Sequence, residues 1–259
     1  MPIVRTEGTE VHYRTEGTGP GLLLVHGSTA DSEANFAALR PCFTDRRTVI
    51  TADYSGSGST ALPEGGELGL DLVSAQMAAA ARAATDGPVD VVGVSLGAVV
   101  AAALAAEHPG LVRRLVLVGG WARNDDPRQR LMFGLWRSLA DLDRDAYQRF
   151  ITLLALSPET LSGLDDDMIA TLAAAAEPSE GARRQIDLDL VADIRERLAE
   201  IRAPTLVIGA TQDQVVPVAH SRELHAGIEG SRYEEIDSGH NVLYERGKEL
   251  ADLITEFLD

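Results

Sequence analysis

The chain alternates short runs of apolar residues with longer segments in which apolar positions recur every three or four residues. Five continuous or nearly continuous apolar runs occupy residues 22–25, 48–52, 89–94, 115–118 and 205–209. Runs of this kind are typical of strands that are buried on both faces of a sheet. Three further strands are indicated at residues 2–6, 11–15 and 232–236. Helical spacing or composition appears at residues 35–43, 70–84, 96–107, 217–226 and 241–258.

The alternation of these strands and helices predicts the fold class. A strand followed by a helix and another strand predicts parallel pairing, because parallel strands need a long crossover connection. Right-handed crossovers place helices on both faces of the sheet. We therefore expect an α/β protein with a doubly wound, mostly parallel sheet.

A helical insertion interrupts the alternation after the sixth predicted strand. Residues 124–183 contain no strand-like run, and the predicted helices there cover residues 127–140, 144–156, 158–161 and 165–176. The segment departs from the carboxyl end of a strand, where ligands of open α/β sheets bind. We expect a core of residues 1–120 and 188–259 and a helical cap, residues 121–187, that acts as a lid. An ordinary helical subdomain that only adds core is the alternative.

Composition and net charge limit the kinds of molecule that the protein is expected to bind. Apolar residues make up 45% of the chain and charged residues 24%, and the formal net charge is −17. This charge argues against nucleic acid and anionic membranes as partners. Cys42 is a lone cysteine, so neither an internal disulfide nor a cysteine metal cage is expected. Without an apolar leader or spanning segment in the sequence, the expectation is a cytoplasmic protein that acts on a small-molecule substrate.

The motif G-x-S-x-G occupies residues 93–97, directly after a predicted strand and before a predicted helix. In this context the motif is typical of a nucleophilic serine on a tight strand-to-helix turn. The glycines avoid steric clash in the turn, and the helix directs free N–H groups towards the site. Ser95 is therefore the candidate nucleophile.

A serine hydroxyl needs a base, and the base needs an orienting carboxylate. Of the six histidines, His220 and His225 are interpreted as solvent-exposed on a polar helix face. His26 and His240 instead follow predicted strands, as Asp213 does. Ser95, Asp213 and His240 occur in the order nucleophile, acid, base that is expected for this architecture.

With these stretches, the chain resembles the α/β-hydrolase fold superfamily, in particular serine-nucleophile members with a helical cap. The matching stretches are LLLVHGS (22–28), DYSGSGST (53–60), VVGVSLGAVVA (91–101), HPGLVRRLVLVGG (108–120), PTLVIGATQDQVVP (204–217) and GHNVLYERGKEL (239–250). The resemblance implies that Ser95 is the nucleophile, His240 the base and Asp213 the orienting acid. It also implies that the backbone N–H groups of Ser28 and Leu96 form the oxyanion hole.

Two features depart from the family pattern or leave alternatives. Many members carry Asp-x-Arg-Gly-x-Gly where this chain has Asp-Tyr-Ser-Gly-Ser-Gly at 53–58, so a structural arginine is missing. The acid of some members follows an earlier strand, which here would correspond to Asp125 or Asp126. By resemblance, His26 holds the oxyanion loop and takes no part in the chemistry.

The implied chemistry is hydrolysis of an ester or thioester of a small, largely apolar substrate through an acyl-enzyme. No metal or organic cofactor is expected. Trp121, Phe133 and Trp136 are the candidate substrate-binding residues, with Trp121 foremost, and the alternative is that these rings only pack the cap. A lyase, cyclase or acyltransferase on the same fold and a non-catalytic small-molecule binder are the rival classes. A homodimer is left open.

Overall fold

The computed structural model describes residues 1–63, 65 and 67–259, and in this part of the chain eight strands form one sheet. The strands are β1 (Ile3–Thr6), β2 (Thr9–Glu16), β3 (Gly21–Val25), β4 (Thr48–Ala52), β5 (Val89–Val94), β6 (Val112–Val118), β7 (Thr205–Ala210) and β8 (Arg232–Ile236). Their order is β1-β2-β4-β3-β5-β6-β7-β8. β2 pairs antiparallel with β1 and β4, and all other neighbours are parallel. The predicted doubly wound, mostly parallel sheet is confirmed.

Twelve α-helices occur in the same described residues. They are α1 (Ser32–Phe36), α2 (Leu70–Ala84), α3 (Leu96–Glu107), α4 (Pro127–Leu142), α5 (Arg144–Ala155), α6 (Pro158–Ser162), α7 (Asp166–Ala175), α8 (Glu180–Val191), α9 (Arg195–Leu198), α10 (Val218–Gly227), α11 (Val242–Glu245) and α12 (Gly247–Leu258). No helix within the described ranges is long and apolar enough to cross a bilayer.

The core lies on both faces of the sheet. Along β3, Leu23 and Val25 belong to one apolar cluster, and Leu22 and Leu24 belong to the other. This division follows from the two-residue period of a strand, which sends successive side chains to opposite faces. Both faces of β3 are covered, which explains why its sequence is a continuous apolar run.

Two predicted helices are shorter or divided. The helix expected over 35–43 is replaced by α1 and a separate 3-10 turn at Arg40–Cys42. Pro41 explains the difference, because proline has no N–H to donate and restricts the residue before it. The closing helix expected over 241–258 is divided at Arg246 into α11 and α12. Gly247, a poor helix former, follows the break.

The helices α4 to α8 lie between β6 and β7. Side chains cap the amino ends of all five helices: Asp126, Asp143, Ser157, Asp165 and Ser179. α8 was not predicted from the sequence, and the expected end of the cap at residue 187 falls inside this helix. Gly181 lies in the first turn of α8, where the backbone of this helix approaches the backbone of the 53–58 loop. Its added Cβ would lie 1.9 Å from the Gly56 carbonyl oxygen.

Candidate active site

Ser95 occupies the turn between β5 and α3, with φ 55° and ψ −124°. A positive φ is strained for a residue with a side chain, and such strain persists where the surroundings enforce it. Close contacts with neighbouring backbone atoms require glycine at both flanking positions, Gly93 and Gly97. A Cβ at Gly93 would lie 2.1 Å from the Gly97 carbonyl oxygen, and one at Gly97 would lie 2.1 Å from the Val25 carbonyl oxygen. The chain can therefore pass through this turn only with glycine at both positions.

His240 and Asp213 meet Ser95 in one hydrogen-bonded line. The Nε2 atom of His240 lies 2.9 Å from Ser95 Oγ, and its Nδ1 atom lies 2.6 Å from Asp213 Oδ2. The other carboxylate oxygen, Asp213 Oδ1, accepts the backbone N–H groups of Val215 at 2.8 Å and Val216 at 2.7 Å. These bonds fix the carboxylate, which in turn fixes the orientation of the imidazole.

The surroundings of His240 favour its protonated form. Burial alone would lower the pKa of His240, but the charge of Asp213 and the hydrogen bond to it outweigh burial, so the pKa is raised. Asp189 adds to this effect when it is ionised. Because Nδ1–H donates to Asp213, the hydrogen-bond pattern assigns Nε2 as the acceptor for the Ser95 hydroxyl proton. This is the proton arrangement that a general base requires.

The alternative carboxylates lie elsewhere. Asp125 forms an ion pair with Arg123 at 2.6 Å. Asp126 caps α4 and lies 3.5 Å from Nε2 of His220. The expectation that His220 is solvent-exposed is wrong, because its contact with the start of α4 buries it. Of the three acids considered, Asp213 alone is hydrogen-bonded to His240.

The loop that carries Ser28 packs directly against the serine. A Cβ at Gly27 would lie 3.1 Å from Ser95 Cβ, and the Gly27 N–H donates to Asn35 Oδ1 at 2.8 Å. The next residue, Thr29, has φ 61°, so the backbone turns sharply after Ser28. Leu96 is the first residue of α3, and the first N–H groups of a helix lack an intrahelical partner. Both predicted oxyanion-hole residues thus flank Ser95.

His26 lies beneath this loop and is fully buried. Its Nδ1 atom lies 2.8 Å from the Gly27 carbonyl oxygen, and its ring stacks on Tyr54 at 3.9 Å. Burial lowers the pKa of His26, which favours the neutral ring. Where many members of the family have arginine, the side chain of Ser55 accepts a hydrogen bond from buried Gln76 at 2.7 Å. Neutral hydrogen bonds therefore occupy the place of the missing charge.

A cavity of about 200 Å³ lies above Ser95 and His240. Its apolar walls are Val94, Val118, Phe133, Trp136, Ile151, Ala155, Val215, Val242 and Leu243. Phe133 and Trp136 line it as expected, but Trp121 is not among its lining residues. Trp121 is fully buried, and its ring centroid lies 5.5 Å from that of Phe133. In the described part of the chain, no three His, Cys, Asp or Glu side chains are grouped so that they could hold a metal ion.

Sequence reasoning missed two polar residues of α8 that meet the Ser28 loop. Ser28 Oγ donates to Asp189 Oδ1 at 2.7 Å, and the Thr29 N–H donates to Gln185 Oε1 at 2.6 Å. Asp189 also lines the cavity. Burial raises its pKa to about 8, although the Ser28 hydrogen bond and the His240 charge act in the opposite direction. The four-residue spacing of Gln185 and Asp189 would have placed them on one helix face, had α8 been predicted.

Comparisons with known proteins identify the family of the chain. A pyrrolizixenacetamide deacetylase of Xenorhabdus hominickii is 41% identical over the whole chain and 98% of that protein. A pimeloyl-[acyl-carrier protein] methyl ester esterase of Neisseria meningitidis is 28% identical over 91% of this chain and 92% of its own. The structure of an alpha/beta hydrolase from a Medee basin deep-sea metagenome superimposes with a TM-score of 0.90 at 18% identity, covering 99% of this chain and 97% of that one. A sequence model of the alpha/beta hydrolase fold matches residues 20–247. The chain belongs to the alpha/beta hydrolase fold family, and it is a hydrolase.

Proposed function

We propose that the protein is a serine hydrolase that removes a small acyl group through an acyl-enzyme. The observation that carries the proposal is the line from Ser95 Oγ to His240 Nε2 at 2.9 Å and from His240 Nδ1 to Asp213 Oδ2 at 2.6 Å. An uncharged serine hydroxyl becomes a competent nucleophile when an oriented imidazole accepts its proton. Ser95 is the nucleophile, His240 the general base and Asp213 the orienting acid.

The reaction uses each of these atoms in turn. Ser95 Oγ attacks the carbonyl carbon while its proton moves to His240 Nε2, and Asp213 stabilises the imidazolium. The oxyanion accepts hydrogen bonds from the backbone N–H groups of Ser28 and Leu96, each worth about 3 kcal/mol in the transition state. The bond to the leaving group breaks as His240 returns the proton to it. Water then attacks the acyl-serine, again with His240 as base, and releases the acid.

The cavity supports a small, largely apolar substrate. Its volume is about 200 Å³, compared with the roughly 150 Å³ of an apolar cavity that holds one benzene molecule. Phe133 and Trp136 from α4 and Ile151 from α5 close it above the serine. We infer that α4 to α8 act as the lid expected from the sequence, because α4, α5 and α8 of this segment supply lining residues of the cavity that contains Ser95.

The scissile bond is an ester or thioester on the sequence-based expectation, and an amide is the second candidate. The amide is favoured by the relative that is 41% identical over the full chain, whose name states that it deacetylates an acetamide. Amide and ester hydrolysis need the same nucleophile, base and oxyanion donors. The amide differs in its poor leaving group, which makes proton delivery by His240 more important.

A panel of acetyl donors tests the proposal: p-nitrophenyl acetate, S-phenyl thioacetate and p-nitroacetanilide. We expect the wild type to hydrolyse at least one of them and Ser95→Ala to lose that turnover by roughly a thousandfold or more. Ser138→Ala is the matched control, because Ser138 is exposed on α4 and, among the described residues, its hydroxyl donates only to the Gly134 carbonyl oxygen of the same helix. Equal turnover by wild type and Ser95→Ala, or no turnover by the wild type, would contradict the proposal.

A further inference from the structure

Asp189 is a buried carboxyl group that the proposed reaction does not use. It lies on α8, is fully buried and lines the same cavity as Ser95 and His240. Aspartate is almost never fully buried without a partner charge. A carboxyl group in this position therefore calls for a physical reason beyond packing.

The surroundings of Asp189 favour the neutral acid. Among the described residues, its side chain forms no ion pair with lysine or arginine and meets the hydroxyl of Ser28 at 2.7 Å. A buried carboxylate without a paired cation is strongly disfavoured, and the group takes up a proton instead. Burial raises the pKa of Asp189 to about 8, which agrees with this assignment.

The two carboxyl oxygens of Asp189 have different environments. Oδ1 accepts the hydrogen bond from Ser28 Oγ. Oδ2 is buried and has no hydrogen-bond partner among the described residues. The neutral acid therefore carries its proton on Oδ2, where the O–H is an unused donor of a residue that lines the cavity. An unsatisfied buried donor destabilises the protein, and a bound ligand that accepts its hydrogen bond removes this cost.

We propose that Asp189 is a specificity-determining residue, whose neutral carboxyl group donates a hydrogen bond from Oδ2 to an uncharged acceptor oxygen of the substrate. This oxygen is separate from the scissile carbonyl, which faces Ser28 and Leu96. The substrate class is an ester or amide that carries a second oxygen, such as an ether, ketone or lactam carbonyl, within reach of the lid. The inference rests on the proposed function, because it concerns the substrate of the same site.

Two pairs of esters that differ by one atom test this inference. p-Nitrophenyl methoxyacetate and p-nitrophenyl butanoate differ by an oxygen for a methylene in the acyl chain. 2-Methoxyethyl acetate and butyl acetate differ in the same way in the alcohol. The readout is the ratio of kcat/KM for the oxygen-containing ester to that for its hydrocarbon partner, measured for each variant. Any general effect of a substitution on the Ser28 loop acts on both members of a pair and cancels in the ratio.

We expect Asp189→Leu to lower this ratio by about tenfold in at least one pair, because it removes one hydrogen bond to the substrate. Asp189→Asn keeps an N–H donor in place and is expected to keep the ratio within about threefold of wild type. Asp187→Asn is the control: Asp187 lies on the same helix, partly exposed and paired with Arg137 at 2.8 Å. It is expected to leave both ratios unchanged. Asp189→Ala replaces the leucine variant if that variant does not fold.

The outcomes separate this inference from the function on which it rests. If Asp189→Leu or Asp189→Ala leaves both ratios unchanged, the proposed hydrogen bond is wrong although the hydrolase is real. If Asp189→Asn lowers the ratio as much as Asp189→Leu does, a neutral donor at this position does not preserve the preference, and the proposed hydrogen bond from the carboxyl group is wrong. If the wild type hydrolyses none of the four esters, or Ser95→Ala hydrolyses them as well as the wild type does, the proposed serine hydrolase function itself is contradicted, and the inference about Asp189 fails with it.

Discussion

The Nδ1 atom of His240 lies 2.6 Å from Oδ2 of Asp213, and this contact joins the loops that follow β7 and β8. The two residues are 27 positions apart, and His240 is 145 positions from Ser95. The carboxyl ends of neighbouring parallel strands meet at one edge of a sheet, so the fold itself closes these distances.

Asp213→Asn should therefore impair catalysis severely. An amide at this position stabilises the wrong imidazole tautomer and loses the negative charge, and an equivalent change in a serine protease lowers kcat by about ten-thousandfold. We expect a loss of at least roughly a thousandfold in kcat with the fold retained, measured by steady-state kinetics and circular dichroism.

The control for this change is Asp125→Asn, because Asp125 pairs with Arg123 at the surface. Its turnover should remain within about twofold of wild type, the range expected for a substitution that touches neither substrate nor catalytic groups. A large loss of turnover in Asp125→Asn with normal turnover in Asp213→Asn would show that Asp125, which follows the earlier strand β6, is the orienting acid.

The activity should rise with pH through a midpoint above 6.5, the usual pKa of histidine, since Asp213 raises the pKa of His240. The neutral imidazole is the active base, so kcat/KM is low below this pKa and reaches a plateau above it. A pH profile of kcat/KM for an uncharged ester measures the midpoint. In Asp213→Asn the residual activity should have a lower midpoint, because the negative charge that chiefly opposes the effect of burial on the pKa of His240 is removed. A wild-type profile that is flat from pH 5 to 8 would argue against a histidine base.

Gly181→Ala and Gly134→Ala should have opposite effects on stability although both lie in helices of the insertion. A Cβ at Gly181 would lie 1.9 Å from the Gly56 carbonyl oxygen, whereas a Cβ at Gly134 meets nothing within 4 Å. We expect Gly181→Ala to lower the free energy of unfolding by about 1–3 kcal/mol and to displace α8 from the Ser28 loop. Gly134→Ala should raise it by about 0.5–1 kcal/mol through helix propensity. Urea denaturation measures both, and equal effects would contradict the close contact of α8.

Asp189 should make the protein less stable as the pH rises from about 4 to about 8. Its pKa is raised from the usual 3.8 to about 8 in the folded state. Below pH 4 both states hold the proton, and between these values the folded state alone holds it, so stability falls with increasing pH. The nearby titratable groups are His240, Tyr54 and Tyr147. We expect the melting temperature of Asp189→Asn minus that of wild type to increase from pH 5 to pH 8. A constant difference would contradict a neutral Asp189.

The sequence predicts the sheet well because its signal is local. A continuous apolar run marks β3, which leads to the Ser28 loop, and a nearly continuous one marks β5, which leads to Ser95. The glycines around that serine indicate the strand-to-helix turn directly. The candidate residues Ser95, Asp213 and His240 could be selected for the same reason, because each follows a recognisable strand.

The missed features depend on contacts between distant segments. α8 contains a glycine near its start, and the close approach to Gly56 that requires this glycine cannot be inferred from the sequence. Trp121 follows β6 as expected of a pocket residue, yet it does not line the cavity, whereas Phe133 from α4, whose ring lies close to it, does. Asp189 could not be selected because nothing in the sequence places α8 against the Ser28 loop. Which side chains reach a cavity is decided by the packing of the lid, a property of the whole fold.

The central claim is that the Ser95 hydroxyl is the nucleophile, and intact-protein mass spectrometry after treatment with a fluorophosphonate tests it most directly. We expect one phosphonyl group per chain, located on the peptide that contains Ser95, with labelling that slows in Asp213→Asn and is absent in folded Ser95→Ala. Undiminished labelling of Ser95→Ala, or no labelling of the folded wild type, would contradict the account.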